Sequence, residues 1–111
     1  GFEYKQFIAN NINFAKYHYI EPNADMIREF KTNHDIEMDK VEIHNCFFEK
    51  CLDIAANTGP KVIVINSCFH HLIWVKEFLD SVKQVMNSGD VLMICHEPNN
   101  SYRHSPFIFI N

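Results

Sequence analysis

The sequence predicts an α/β domain: an open, mostly parallel sheet with flanking helices. Two observations carry this. First, Lys61–Asn100 spells strand, His-His turn, amphipathic helix, Ser-Gly-Asp turn, strand and an acidic polar end. Second, shorter apolar runs upstream alternate in the same way. Strands alternating with helices at these lengths imply right-handed crossovers between parallel strands.

Taken in order, Glu3–Asn13 carries Tyr4, Phe7, Ile8 and Ile12 at helical spacing. Phe14–Ile20 is aromatic and β-branched, which suits a strand. Glu21-Pro22-Asn23 ends it, and proline is at home in the first turn of a following helix, where Met26, Ile27 and Phe30 fall on one stripe. Polar Lys31–Lys40 reads as a surface loop. Val41–Cys46 is a short strand, and Phe48–Asn57 a short helix punctuated by Thr58-Gly59-Pro60.

Lys61–Ile65 places four β-branched residues after a lysine, the pattern of a strand buried on both faces. Val75, Phe78, Leu79, Val82, Val85 and Met86 follow at offsets 0, 3, 4, 7, 10 and 11, one face of an amphipathic helix. Asn87-Ser88-Gly89-Asp90 ends it, with Gly89 suited to a left-handed cap. Val91–Cys95 is a second buried strand, and Ser105–Asn111 begins another.

Residues 1–111 are short enough for one domain or less. With 47% apolar residues and only three Gly, the chain has the makings of a core. A net charge of −4 argues against a nucleic-acid backbone as partner, since phosphate binding needs clustered Lys and Arg. No apolar run approaches the roughly 18 residues of a membrane span. Cys46, Cys51, Cys68 and Cys95 form no C-x-x-C pair and read as buried free thiols, which fits a cytoplasmic setting. Exposed sheet edges leave self-association open.

In open α/β sheets, ligands bind beyond the carboxyl ends of the strands. Glu21 stands at one such end. Its carboxylate can accept two hydrogen bonds from a ribose diol, or simply favour a helix N-terminus through the dipole. At the second end, Phe47 or Phe48 can stack on a base, and one of the two is expected in the core. At the third, Asn66 and Ser67 run into His70-His71. Adjacent histidines are poor joint metal ligands and lack partners at zinc-like spacing, so no metal site is expected; one His is expected to pack and the other to face a substrate mouth. At the fourth, His96 offers an imidazole, the side chain type suited to a general base near neutral pH, with Glu97 to orient it or touch substrate. The plain alternative there is a solvated loop start ended by Pro98.

The joint order of Glu21-Pro22-Asn23-Ala24-Asp25-Met26, the His-His turn, the Ser-Gly-Asp turn and Glu97-Pro98-Asn99 resembles the second to fifth strands of class I S-adenosylmethionine-dependent methyltransferases of small-molecule type. Asn23 stands where serine is commoner in the pattern acidic-x-Ser-x-x-Met. The resemblance implies a Rossmann-like sheet. It also implies a cofactor site of Gly1, Glu21, Asn23, Met26, Phe47, Phe48, Asn66 and Ser67, with His70, His71 and Glu97 at the substrate pocket and His96 as catalytic base. The cofactor would be S-adenosylmethionine and the acceptor a small molecule. Transfer from a sulfonium is an in-line displacement by an activated donor, so positioning supplies much of the rate.

The sequence departs from the family in four further places. No carboxylate stands where adenine's amino group is usually met, and Lys61 replaces an aspartate. The first strand and its glycine-rich turn are not in the text, apart from Gly1 as its last glycine, and the final hairpin is at most begun. A central five-residue strand carries about ten backbone polar groups, and each buried one left unpaired costs roughly 1–3 kcal/mol. Residues 1–111 are therefore expected to be a partial domain of a longer protein. The alternative is a non-catalytic methyltransferase-like binding or scaffolding module. An unrelated α/β domain would call for an acidic cluster or Gly-x-Gly-x-x-Gly, and the text has neither.

Overall fold

The computed structural model describes residues 2–33 and 36–96, which form a mixed α/β chain with four α-helices and two short parallel two-stranded sheets. They fall into two compact units divided between Ile54 and Ala55.

The first unit runs α1 (Phe2–Ala9), β1 (Tyr17–Ile20), α2 (Ala24–Asn33), β2 (Val41–His44), a 3-10 turn (Phe48–Lys50) and the start of α3 (Cys51–Ala56). β1 and β2 pair in parallel, with Tyr17 opposite Val41, His18 opposite Glu42, Tyr19 opposite Ile43 and Ile20 opposite His44. Successive strand side chains point to opposite faces. Tyr17, Tyr19, Val41 and Ile43 share one face and join a core around Tyr4 and Phe30, both 2% exposed. The packing there is aromatic. Tyr4 meets Tyr17 edge-on at 5.2 Å and Phe30 at 5.7 Å, and Tyr19 stacks on Phe30 at 4.2 Å. The Tyr4 hydroxyl accepts the Glu37 N–H at 3.1 Å. The other face of the same sheet carries His18, Glu42 and His44.

α2 starts where Asn23 Oδ1 accepts the Asp25 N–H at 2.8 Å, satisfying one of the free donors of the first turn. Its buried stripe is Ile27 and Phe30; Met26, expected on the same stripe, is 45% exposed. The helix continues to Asn33, so the polar segment expected as loop begins helical.

The second unit contains the end of α3, β3 (Val62–Asn66), a 3-10 turn (Phe69–His71), α4 (Val75–Val85) and β4 (Val91–Cys95). β3 and β4 are parallel, in register from Val62–Val91 to Asn66–Cys95. α4 buries Phe78 and Val82, the centre of the expected stripe, and Ile65 is buried on β3. Gly89 adopts φ 92° in the turn before β4, the left-handed conformation expected of it.

The expected parallel pairing is present as two two-stranded sheets among the described residues. One expectation is corrected. β3 and β4 were expected to be buried on both faces, yet Val62 is 55% exposed, Val91 46%, Met93 45% and Ile94 41%. Each described strand pairs with a single neighbour, and these side chains stand on strand faces that are left uncovered. Smaller differences lie at element ends: α1 stops at Ala9, β1 starts at Tyr17, and β2 stops at His44.

All four cysteines are free; Cys51 is buried and the other three half-buried. No described helix is long and apolar enough to cross a membrane. The expected strand at Ser105–Asn111, together with Gly1 and Glu97, lies outside the described residues.

Candidate functional site

The expected site residues that are described, Met26 on α2 apart, lie at strand carboxyl ends or in the loops that follow them, in one group on each unit.

On the first unit, Glu21 directly follows β1 and is half-buried. Its Oε1 accepts the Asn23 N–H at 2.9 Å, closing a tight turn around Pro22. Asn23 thus serves the loop with its backbone and α2 with its side chain. Asn45, the first residue after β2, donates its side-chain amide to the carbonyls of Glu21 and Pro22, both at 3.0 Å. That fork ties the two strand ends together through a side chain held by its neighbours' backbone, so the loop after β1 is fixed in place. Beyond Asn45, Phe47 is 68% exposed while Phe48 is half-buried at the start of the 3-10 turn. One aromatic ring at this end is therefore open and the other partly packed. Met26 is exposed one turn into α2.

On the second unit, Asn66 is the last residue of β3 and Ser67 follows it. Ser67 and His96, each one residue past its strand, both have φ of 54°. Non-glycine residues adopt this left-handed conformation uncommonly. The two are joined: Ser67 N–H donates to Cys95 O at 2.9 Å, and Ser67 Oγ–H to His96 O at 3.1 Å. Ser67 is thereby committed to holding the ends of β3 and β4 side by side. His70 and His71 occupy the 3-10 turn with ring centroids 4.0 Å apart. Both are exposed, so the expectation that one packs inside is corrected.

The sequence reading missed a third group. On the outer face of the β1–β2 sheet, His18 Nδ1 lies 3.0 Å from His44 Nε2. Glu42 Oε2 lies 3.8 Å from the former, and Glu42 Oε1 3.9 Å from the latter. The two imidazoles stack at 5.3 Å with 26° between their planes. The register explains the cluster: His18 is directly opposite Glu42, and His44 is two residues on, on the same face. Burial holds the His18 pKa below the usual histidine value; Glu42 opposes this, and His44 and Lys16 add to it. Two imidazole nitrogens and a carboxylate converge here with metal-ligand chemistry. The available signal was the alternation Tyr17-His18-Tyr19 and Val41-Glu42-Ile43-His44, which puts three polar residues on one face of two strands.

Compared with protein-family models, curated proteins and solved structures, the chain matches none.

Proposed function

We propose that the chain is part of a Rossmann-like S-adenosylmethionine-dependent methyltransferase acting on a small molecule. The observation that carries the reading is the end of the β1–β2 pair. A carboxylate on Glu21 and an open aromatic ring on Phe47 follow two directly paired parallel strands, and Asn45 ties the intervening backbone. A nucleoside asks for these two groups: an acceptor pair for the ribose diol and a flat apolar surface for the base. The strand pairing is compatible with the reading: β1 pairs with β2 and β3 pairs with β4, both in parallel.

In this reading Glu21 binds the ribose, and Phe47 covers one face of the adenine. Asn66 and Ser67 border the methionine portion. His96 takes the proton from an acceptor hydroxyl or amine, leaving its lone pair to attack the methyl carbon as the C–S bond breaks. His70 and His71 belong to the acceptor side, and free cysteines fit a reducing, cytoplasmic setting.

Calorimetric titration with S-adenosylmethionine and with its demethylated product tests this, on this chain and on a version carrying a strand and glycine-rich turn upstream of Gly1. Saturable binding to the extended version supports the reading. Absence of binding to both removes methyl transfer and leaves a non-catalytic module of similar fold.

A further inference from the structure

We propose that His18, Glu42 and His44 form a site for one divalent transition-metal ion, zinc foremost, with a coordination position left open. The site is independent of the methyl-transfer reading, because it is built from three side chains on the outer face of the β1–β2 sheet to which that reading gives no role.

Distances come first. Zinc bonds of about 2.0–2.1 Å to nitrogen or oxygen place tetrahedral ligands about 3.3–3.4 Å apart. The two nitrogens are 3.0 Å apart, and each has a different Glu42 oxygen nearest it, Oε2 at 3.8 Å from His18 Nδ1 and Oε1 at 3.9 Å from His44 Nε2. With one atom from each residue the three ligand atoms lie within 4.8 Å of one another, so closing to the tetrahedral edge asks the Glu42 carboxylate to move inward. The two imidazoles are held by paired strands and by stacking on each other, with side chains only 24% and 20% exposed. The Glu42 side chain is 51% exposed, so the ligand with freedom to close the two longer sides is the one that needs to move.

Chemistry narrows the ion. Imidazole nitrogens suit zinc, copper, nickel and cobalt, whereas magnesium and calcium take sets of oxygens. One carboxylate with two neutral imidazoles leaves net positive charge on a bound divalent ion and a fourth position for water or another ligand, the arrangement of open zinc sites. Protons balance without cost to the set. The 3.0 Å contact between His18 Nδ1 and His44 Nε2 holds one proton between two nitrogens. On binding, that proton leaves for the outer nitrogen of the same ring, both rings stay neutral, and the ion takes its place. A mere cross-strand polar contact would need only two of these groups. Here the carboxylate directs one oxygen to each ring nitrogen.

The test uses the whole chain, stripped with a chelator and titrated with zinc chloride, with magnesium chloride as comparison. The expected result is one zinc per chain and no magnesium uptake. A cobalt-substituted sample should show the visible bands of a tetrahedral nitrogen and oxygen set, without sulfur charge-transfer absorption. His18→Gln and His44→Gln should each weaken binding by more than about 100-fold, beyond the 10–100-fold typical of residues that only support a ligand. Glu42→Gln should weaken it less, and His70→Gln with His71→Gln should leave it unchanged. Should a variant misfold, nitrogen-15 shifts of the histidine rings in the unaltered chain decide: zinc should move His18 Nδ1 and His44 Nε2. Absence of stoichiometric uptake, or shifts confined to other histidines, overturns the proposal.

Discussion

Lys61 and Asp90 grip each other at the amino ends of β3 and β4. Lys61 Nζ lies 2.7 Å from Asp90 Oδ2, and the Lys61 backbone N–H donates to Asp90 Oδ1 at 3.0 Å. The two side chains are 6% and 1% exposed. The Asn87 N–H adds a third bond to the same carboxylate at 2.7 Å, and Val91 N–H returns to Lys61 O at 3.1 Å. One aspartate thus closes the Asn87–Asp90 turn and starts the parallel ladder.

These bonds, the Asn87 N–H foremost and then the Lys61 side chain and backbone, lower the Asp90 pKa to about 2. A carboxylate whose pKa is depressed on folding adds stability above its unfolded value near 4, and that contribution is lost as pH falls toward 2. Thermal unfolding followed at steps from pH 5 to pH 2 should show a falling Tm that Asp90→Asn flattens. Asp90→Ala should lower Tm at pH 7 more than Lys61→Met with Asp90→Leu does, because the single change strands a buried ammonium.

Gly89 carries φ 92°, and a methyl group built on it meets nothing within 4 Å. Space is therefore no obstacle to Gly89→Ala, and backbone strain alone should destabilise the chain by about 1–2 kcal/mol. Gly89→Asn should cost less, since asparagine visits this conformation more readily. Chemical denaturation of the two variants measures the difference.

Tyr4 is the hub of the first unit's core, touching Phe14, Tyr17 and Phe30 edge-on. Tyr4→Ala should cost about 3–5 kcal/mol through lost burial and the cavity left behind. Tyr4→Phe keeps the ring and loses only the bond from Glu37 N–H, about 0.5–1.5 kcal/mol. Equal losses in denaturant unfolding of the two variants would contradict this packing.

Burial, followed by the charges of Glu21, Glu3 and Glu29, pushes the Tyr19 phenol up to about 12. Tyr17 moves upward as well, with burial again the first cause. A phenol raised on folding adds stability below its unfolded value near 10, and that contribution is lost as pH climbs toward 12. Ultraviolet titration should show late-ionising tyrosine, with Tyr19→Phe removing one late step.

Glu21→Gln should leave the fold in place, because the turn needs only one acceptor oxygen, while removing the charged acceptor for a ribose diol. Charge-assisted hydrogen bonds are worth about 1.5–3 kcal/mol, so affinity for S-adenosylmethionine should fall roughly ten- to hundredfold by calorimetry.

The legible parts of the sequence were those written in local periodicity. α4 and β4 follow from a helical stripe and a continuous apolar run, and Glu21 was placed at a strand end by the proline behind it. β3 is displaced by one residue from its expected span, Val62–Asn66 instead of Lys61–Ile65, because Lys61 is bound to an aspartate 29 positions away. Nothing local announces such a partner. Strand exposure was misread for a related reason: a β-branched run states that a strand forms, not how many neighbours cover it. Of Phe47 and Phe48, the sequence required one open ring without choosing it. The His18–Glu42–His44 cluster depends on the register between two strands, which brings together histidines 26 positions apart and which local alternation can suggest but not set.

The most direct test of the central claim is a nuclear magnetic resonance titration of the nitrogen-15-labelled chain with the demethylated cofactor product, carried out with and without the upstream strand and glycine-rich turn. The account predicts saturable amide shifts at Glu21–Met26 and Asn45–Phe48 in the extended version, with Glu21→Gln shrinking them at equal ligand concentration. Shifts that avoid both segments, or no shifts at all, would contradict it.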